Sequence, residues 1–180
     1  VIGGAEDDIL DGGADMDWVL GDDARFDFEP DDGNDGPTHL VRIMDPGTNG
    51  NDTLTGGADP DLLIGGLGND TIDGQGSDDV LIGDDATVLF ADDGITIINI
   101  ETTNRTQGGT DVIYGGEDDD IVIGGTNADD LDGGAGDDLI FGDNVTLVLN
   151  DGSGDAINPR YRELGDTTLY DADGIVQVDG

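Results

Sequence analysis

The sequence predicts an all-β coil, in which glycine-rich loops and short strands alternate and successive turns stack on one another. Three observations predict it: a nine-residue repeat, glycine at the start of almost every repeat, and an aliphatic residue at one fixed place in each. Composition alone, with low hydrophobicity and high net charge, would suggest a disordered acidic chain. The fixed phase of the apolar residues counts against disorder.

The nonapeptide occurs ten times, and the ten copies form three blocks. They span residues 3–11 and 12–20, then 47–55, 56–64, 65–73 and 74–82, then 106–114, 115–123, 124–132 and 133–141. The sixth position is always aspartate: Asp8, Asp17, Asp52, Asp61, Asp70, Asp79, Asp111, Asp120, Asp129 and Asp138. The eighth is always aliphatic: Leu10, Val19, Leu54, Leu63, Ile72, Leu81, Ile113, Val122, Leu131 and Ile140.

The local physics of one repeat predicts a loop followed by a short strand. A run such as "GGLGN" (65–69) has too many glycines for a regular element, and glycine reaches positive φ cheaply, so the first six residues form a loop. The last three have room for a very short strand whose middle residue points inward. Two repeats therefore make one turn of 18 residues, with the eighth positions as a thin core. Loops stack along each edge, which brings Asp52 near Asp70 and Asp61 near Asp79.

The charge of the chain predicts a cationic partner. Only 5 Lys+Arg stand against 44 Asp+Glu, and the formal net charge is -39. Two carboxylates about 4 Å apart repel by roughly 4 kcal/mol at an effective dielectric constant of 20, so the chain is not expected to fold without cations. The sign of the charge disfavours nucleic acids and anionic membranes as partners, since proteins that bind them expose Lys and Arg. Metal ions or basic proteins remain.

Calcium is the cation that these residue types favour. Ca²⁺ takes about six to eight oxygen ligands from carboxylates and carbonyls, whereas Mg²⁺ demands a smaller octahedron and Zn²⁺ prefers His or Cys. The chain contains no cysteine, which excludes disulfides and thiolate sites. Its apolar runs are all shorter than the roughly 18 residues that a membrane span requires.

The repeats resemble the "GGxGxDxUx" nonapeptide of the repeats-in-toxin (RTX), or hemolysin-type calcium-binding, family. The resemblance implies a right-handed parallel β-roll with Ca²⁺ between successive loops on one edge. It also implies export by type I secretion, and hence a secreted or cell-surface location. The metal sites expected from it use the ten sixth-position aspartates, together with glycines at the first and fourth positions. These glycines are Gly47, Gly56, Gly65, Gly115, Gly124 and Gly133 at the first position and Gly50, Gly68 and Gly136 at the fourth. Loop stacking predicts roughly six to nine ions.

Some repeats depart from this pattern. The fourth position is occupied by Glu6, Asp15, Asp59, Ser77, Asp118 or Asn127 where the family has glycine. Asp and Asn tolerate left-handed backbone, so their loops are expected to keep their shape, while those of Glu6 and Ser77 are less secure. Thr106 replaces the opening glycine of its repeat, which suggests an entry half-turn with an incomplete site.

Between the blocks, a larger repeat of about sixty residues inserts β-hairpins. Each block closes with "GDD" or "GDN", at 21–23, 83–85 and 142–144, and an alternating apolar strand follows. The predicted organisation is three β-roll blocks at 1–20, 47–82 and 106–141, with inserts at 21–46, 83–105 and 142–180. Acidic turns at 31–36, 151–155 and 171–174 are either further calcium loops or solvated turns.

The residues that flank the inward position predict two different outer faces. In alternate repeats these residues are polar pairs: Thr53/Thr55, Thr71/Asp73 and Asp130/Asp132. In the others they are apolar pairs: Trp18/Leu20, Leu62/Ile64, Val80/Ile82, Ile121/Ile123 and Leu139/Phe141. We expect the hairpins to cover the apolar sheet through Phe26, Phe28, Leu89, Phe90, Leu147 and Leu149; a partner interface or self-association is the alternative.

The functional prediction is a non-enzymatic, calcium-folded structural module of a large secreted adhesin, surface-layer or toxin-like protein. The alternative is the calcium-dependent folding and secretion domain of an exported hydrolase. His39 is the only histidine, and its place in an apolar strand favours a packing or surface role over catalysis. Neighbouring repeats of the same chain are possible partners, and the sequence does not identify a protein or glycan receptor.

Overall fold

The structure is a computed structural model that describes residues 1–28, 39–43, 49–90, 94–149, 161–164 and 167–168. The first eight strands are β1 (Ile9–Gly13), β2 (Trp18–Leu20), β3 (Ala24–Phe28), β4 (His39–Ile43), β5 (Thr53–Gly57), β6 (Leu62–Ile64), β7 (Thr71–Gly76) and β8 (Val80–Ile82). The remainder are β9 (Ala86–Phe90), β10 (Ile97–Thr102), β11 (Val112–Glu117), β12 (Ile121–Ile123), β13 (Asp130–Ala135), β14 (Leu139–Phe141), β15 (Thr146–Leu149), β16 (Tyr161–Leu164) and β17 (Thr167–Thr168). The described residues form no helix, and hence none that could cross a membrane.

The chain divides into two compact units, of which the first contains the repeats. It comprises the described residues within 1–25, 43–86 and 102–144. Two parallel five-stranded sheets run through it, in the orders β1-β5-β7-β11-β13 and β14-β12-β8-β6-β2. Each repeat contributes its strand to the sheet opposite that of the repeat before it, so two repeats complete one turn. The predicted all-β parallel roll is confirmed.

Strand register brings the eighth positions of successive turns side by side. In one sheet Leu54 pairs with Leu10 and Ile72, and in the other Leu63 pairs with Val19 and Leu81. The buried core cluster consists of eighth-position residues: Leu10, Val19, Leu54, Leu63, Ile72, Leu81, Ile113 and Val122, with Leu131 packed against it. Ile140, on edge strand β14, is 44% exposed, so the predicted core extends over nine of the ten positions.

The two sheets differ in strand length. Strands β2, β6, β8, β12 and β14 have three residues, as the repeat predicts. Strands β7, β11 and β13 have six, because their backbone pairing continues into the next loop. Gly116, for example, pairs with both Gln75 and Gly134. The sequence did not predict this extension, since a glycine run is a weak strand signal.

The outer faces of the two sheets differ as the sequence predicts. Thr53, Thr71 and Asp130 are exposed on the sheet of long strands. On the sheet of short strands, Leu20, Ile64, Ile82 and Ile123 are fully buried, and Leu62, Val80 and Ile121 are at most 9% exposed. Trp18 and the pair Leu139/Phe141 are half-buried. Which elements cover these side chains remains a prediction.

The second unit comprises the described residues within 26–42, 87–101 and 145–180. Its single sheet has the order β17-β16-β15-β10-β9-β4-β3, so the two strands of each insert are neighbours. Pairing of β4 with β9, β10 with β15 and β15 with β16 is antiparallel. Val88, Phe90, Ile100 and Leu147 are fully or almost fully buried. The inserts therefore join side by side into one sheet, as tandem hairpins of a sixty-residue repeat would.

Most fourth-position residues that replace glycine adopt a left-handed backbone conformation. Positive φ values occur at Glu6 (80°), Asp15 (71°), Ser77 (79°), Asp118 (73°) and Asn127 (83°). Glu6 and Ser77 lie in this region at the steric cost that a side chain incurs there. Asp59 is the exception, because the proline that follows it restricts its backbone.

Candidate metal centres

Two ladders of aspartates run along the loops of the roll. In each ladder, Oδ1 of a sixth-position aspartate accepts a hydrogen bond from the backbone N–H of the corresponding aspartate one turn earlier. One ladder joins Asp8, Asp52, Asp70, Asp111 and Asp129, at 2.8 to 3.0 Å. The other joins Asp17, Asp61, Asp79, Asp120 and Asp138, at 2.6 to 3.0 Å. All ten predicted aspartates therefore lie in two columns, one on each edge.

The second carboxylate oxygen of most of these aspartates has no hydrogen-bond partner. Oδ2 is buried and without a hydrogen bond in Asp52, Asp61, Asp70, Asp79, Asp111 and Asp129. A buried carboxylate oxygen without a partner is costly, because burial removes its hydration and nothing replaces it. Each such oxygen atom is available to coordinate a hard cation.

Glycine carbonyls converge on these same oxygens. A Cβ at Gly74 would lie 2.5 Å from Oδ2 of Asp79 and 2.5 Å from the carbonyl oxygen of Gly115, the first residue of the repeat one turn later. At Gly56 the corresponding distances, to Asp61 and Gly74, are 2.7 and 2.9 Å. A side chain at the first position would therefore block both oxygens, which explains the glycine there. The carboxylate oxygen and the carbonyl oxygen therefore lie on the same side of each glycine.

This pairing of a carboxylate with a next-turn carbonyl recurs eight times in the described residues. The pairs are Asp8 with Gly21, Asp17 with Gly56, Asp52 with Gly65, Asp61 with Gly74, Asp70 with Gly83, Asp79 with Gly115, Asp111 with Gly124 and Asp120 with Gly133. No group of three His, Cys, Asp or Glu side chains in this part of the chain is arranged to hold a metal. Each pair joins one carboxylate oxygen and one backbone carbonyl oxygen, and this donor set fits Ca²⁺ rather than Zn²⁺.

Burial raises the pKa of the carboxyl groups in the middle of both ladders. The pKa of Asp70 and of Asp79 rises to about 8, mainly through burial and further through neighbouring carboxylates, and the hydrogen bond from the backbone N–H of the aspartate one turn earlier opposes the rise. Burial also raises the pKa of Asp111, to about 7, and it raises the pKa of Asp52 and of Asp61. Without a cation, the ionised form of these groups is strongly disfavoured.

The structure brings most of the predicted glycines to these sites. Gly56, Gly65 and Gly115, together with Gly124 and Gly133, lie against Oδ2 of the aspartate in their own repeat. The fourth-position glycines stack on the carbonyl oxygens of fourth-position residues in the previous turn: Gly50 on Glu6, Gly68 on Gly50 and Gly136 on Asp118. Gly47 and the acidic turns at 31–36, 151–155 and 171–174 lie outside the described residues. The strand of His39 is described, but its side chain is not.

Several residues of the same geometry were missing from the predicted set. Gly3, Gly12 and Gly74 occupy the first position and contact their own aspartates like the predicted glycines. Their place in the repeat could have identified them. Gly21 and Gly83, in the closing "GDD" tripeptides, lie against Oδ2 of Asp52 and Asp111, so Gly83 takes the place in which Thr106 was expected. The pairing of Gly21 with Asp52 and of Gly83 with Asp111 could not be read from the sequence, because an inserted hairpin separates the two residues of each pair.

Comparison with known proteins agrees with this geometry. The model of the RTX calcium-binding nonapeptide repeat (4 copies) matches residues 1–24, 46–81 and 106–140, a little more than half of the chain. No curated protein and no solved structure matches it. The matched segments contain all ten aspartates of the two ladders. The chain therefore belongs to the RTX calcium-binding nonapeptide repeat family.

Proposed function

We propose that this calcium-binding repeat module folds only when Ca²⁺ is present, and that it serves as a rigid structural segment of a large secreted or cell-surface protein. Before export, at low calcium concentration, the chain is unfolded, and it passes through a type I secretion system in this state. Outside the cell, where related modules bind at about 10⁻⁴ to 10⁻³ M Ca²⁺, it folds. The parent protein is an adhesin, surface-layer or toxin-like protein.

One observation carries the coupling of binding to folding: the buried Oδ2 atoms without hydrogen bonds lie between stacked turns. The ligands of one site come from two turns, as with Asp79 and the carbonyl of Gly115. In the unfolded chain these oxygens are far apart and hydrated, so the site does not exist. Ca²⁺ supplies a positive charge and a full set of coordination bonds to oxygens that are otherwise desolvated. Because each turn supports its neighbours, we expect cooperative folding with about eight ions.

The two units that the described residues form support the role of a rigid segment. They form the roll and the sheet of tandem hairpins, in which β3–β4, β9–β10 and β15–β16 follow one another as a sixty-residue repeat would. We propose that this segment has no catalytic activity. The carboxylates of the ladders would be held ionised by bound calcium and would not exchange protons.

The test is a calcium titration followed by circular dichroism, with bound ions counted by native mass spectrometry. We expect a disordered spectrum in chelator and a cooperative change to β structure as Ca²⁺ is added. A chain that is already β-rich in chelator, and that does not change when Ca²⁺ is added, would refute calcium-dependent folding.

Adjacent aspartates provide a matched pair of variants. Asp79 is 1% exposed with a free Oδ2, whereas Asp78 is exposed and accepts a hydrogen bond from the N–H of Asp119. Asp79→Asn removes a charged ligand at nearly constant volume, so the midpoint of the titration should rise. Asp78→Asn removes the same charge one residue away and should leave the midpoint nearly unchanged. Equal shifts would mean that total charge, not specific ligation, controls folding.

A further inference from the structure

We propose that two of the calcium-binding loops are discontinuous: each hairpin splits one nonapeptide after its second residue, and at the second split the aspartate at that residue, Asp84, closes the loop. The two loops are Gly21-Asp22 with Gly50-Asn51-Asp52, and Gly83-Asp84 with Gly109-Thr110-Asp111. The proposal rests on the calcium-dependent folding proposed above. It adds Gly83 and Asp84, which lie outside the matched segments, to a binding site.

Backbone hydrogen bonds place Gly21 and Gly83 in the first position of these loops. The N–H of Gly83 donates to the carbonyl of Ile123 at 2.9 Å, and that of Gly21 to Ile64 at 2.9 Å. Gly65, at the first position of an uninterrupted repeat, donates in the same way to Ile82 at 2.9 Å. The carbonyl of Gly83 in turn accepts from Gly66 at 3.0 Å.

Gly83 faces the same kinds of oxygen atom as the first glycine of an uninterrupted repeat. A Cβ at Gly83 would contact Oδ2 of Asp111 and lie 2.6 Å from the carbonyl oxygen of Gly124. Asp111 is fully buried, and its Oδ2 has no hydrogen-bond partner. Thr106 carries a Cβ and is exposed, so it does not fit this place. The fourth position is filled by Gly109, which stacks on the carbonyl of Gly68.

Asp84 joins the two halves of its loop. Its Oδ1 accepts from the N–H of Gly109, beyond the hairpin, at 2.9 Å, and its Oδ2 accepts from the N–H of Thr126 in the next turn. Asp84 is fully buried, so both bonds form away from water. The carboxylate thus ties the residues before the hairpin to those after it and to the neighbouring loop.

The first hairpin shares the bond from this aspartate position to the neighbouring loop. Asp22, 1% exposed, accepts from the N–H of Leu67 at 2.8 Å, and Leu67 has the same place in its repeat as Thr126. In most uninterrupted repeats the second residue is a glycine with positive φ, such as Gly66 (106°) or Gly125 (112°). Asp22 and Asp84 are not among the described residues with positive φ. At both positions the backbone conformation changes and the chain leaves the roll, and at the second position the side chain of Asp84 keeps the loop closed.

The chain that leaves the roll after Asp84 is also fastened where it returns. The N–H of Thr103 donates to the carbonyl of Asp85 at 2.8 Å, and the side-chain amide of Asn104 donates to Oδ2 of Asp85 at 3.2 Å. These bonds hold the departing and returning segments together. On this proposal, Asp84 is a positioning residue for the Asp111 site rather than a direct ligand.

Substitutions in the full chain test the split. Gly83→Ala should remove one bound Ca²⁺ from the count obtained by native mass spectrometry, because the methyl group would obstruct Asp111 and Gly124. Thr106→Gly should leave the count and the calcium midpoint unchanged. If the loop were instead continuous from residue 106, Thr106→Gly would improve binding and Gly83→Ala would have no effect, and this result would overturn the proposal.

The Asp84 variant decides the question even if Gly83→Ala does not fold. Asp84→Asn should weaken one site by about tenfold to a hundredfold, the usual cost of losing an outer-shell partner, while circular dichroism in excess Ca²⁺ stays that of the wild type. Asp143→Asn is the control, because Asp143 has the same place in the third closing tripeptide but is exposed. An unchanged ion count and midpoint in Asp84→Asn would overturn the inference. A wild-type chain that binds calcium without folding would instead overturn the proposed function.

Discussion

The middle turns of the roll and its outer turns have the same repeat but different surroundings. Asp70 and Asp79, in the middle, are each 1% exposed, whereas Asp8 and Asp138, in the outermost turns, are half-buried. The eighth-position Leu81 is fully buried, and Ile140 is 44% exposed. The difference teaches that a repeat is stabilised by the turns on both sides of it, as expected for a solenoid.

Truncation of a core side chain should give the largest difference in free energy of unfolding between the middle and the outer turns. Leu81→Ala leaves a cavity between stacked strands and should lower the free energy of unfolding by about 2–5 kcal/mol. Ile140→Ala removes a side chain that is already partly hydrated, and the loss should be well below that. Urea denaturation in saturating Ca²⁺ measures both. Similar losses would show that the outer turn is packed as firmly as the middle.

Aspartate substitution should follow the same order with a smaller effect. Asp70 has a neighbouring turn on each side, so Asp70→Asn should raise the calcium midpoint by roughly tenfold, which corresponds to about 1.4 kcal/mol. Asp8 lies on an edge turn, and Asp8→Asn should raise the midpoint less. The measurement is the calcium titration by circular dichroism. Equal midpoints would indicate that successive sites do not share ligands.

Acidification should partly replace calcium, and mainly in the middle turns. The pKa of Asp70 and Asp79 is about 8 in the folded chain against 3.8 in the unfolded chain. Their contribution to stability in chelator is therefore fully present below pH 3.8 and is lost as the pH rises towards about 8. We expect the metal-free chain to gain β structure as the pH falls through this window, and its calcium affinity to fall because protons compete. A chelated chain whose spectrum is independent of pH would contradict this.

An exposed site in a middle turn should respond least of all. Thr71 is exposed on the polar outer face of β7, although its neighbour Ile72 is fully buried. Thr71→Val should change the free energy of unfolding by less than about 0.5 kcal/mol. A larger change, measured by urea denaturation, would mean that position in the stack matters even for side chains in water.

The aspartate columns and the inner core could be predicted because both follow from period alone. Once two repeats make a turn, Asp52 must lie above Asp70 and Leu54 above Ile72, whatever their neighbours are. The polar and apolar outer faces followed in the same way from alternation of the flanking residues. Glu6 and Ser77 adopt positive φ although their intrinsic preference for it is weak, which sequence propensity alone does not predict.

The split loops were beyond sequence analysis for a physical reason. The closing "GDD" tripeptides mark the end of a block in the sequence, and the nine-residue period then predicts a contiguous repeat that begins at Thr106. Only the stacked structure shows that Gly83 faces Asp111, because hydrogen bonds to Ile123 and from Gly66 hold it in the ladder.

The sequence by itself determined the repeat and its calcium-binding chemistry, because these depend on residue types at fixed intervals. The tertiary structure decided which oxygens meet, which carboxylates are buried, and how each hairpin interrupts a loop. Those features depend on contacts between turns that are distant along the chain. The number of residues between two positions does not show whether the chain between them stays in the roll or leaves it.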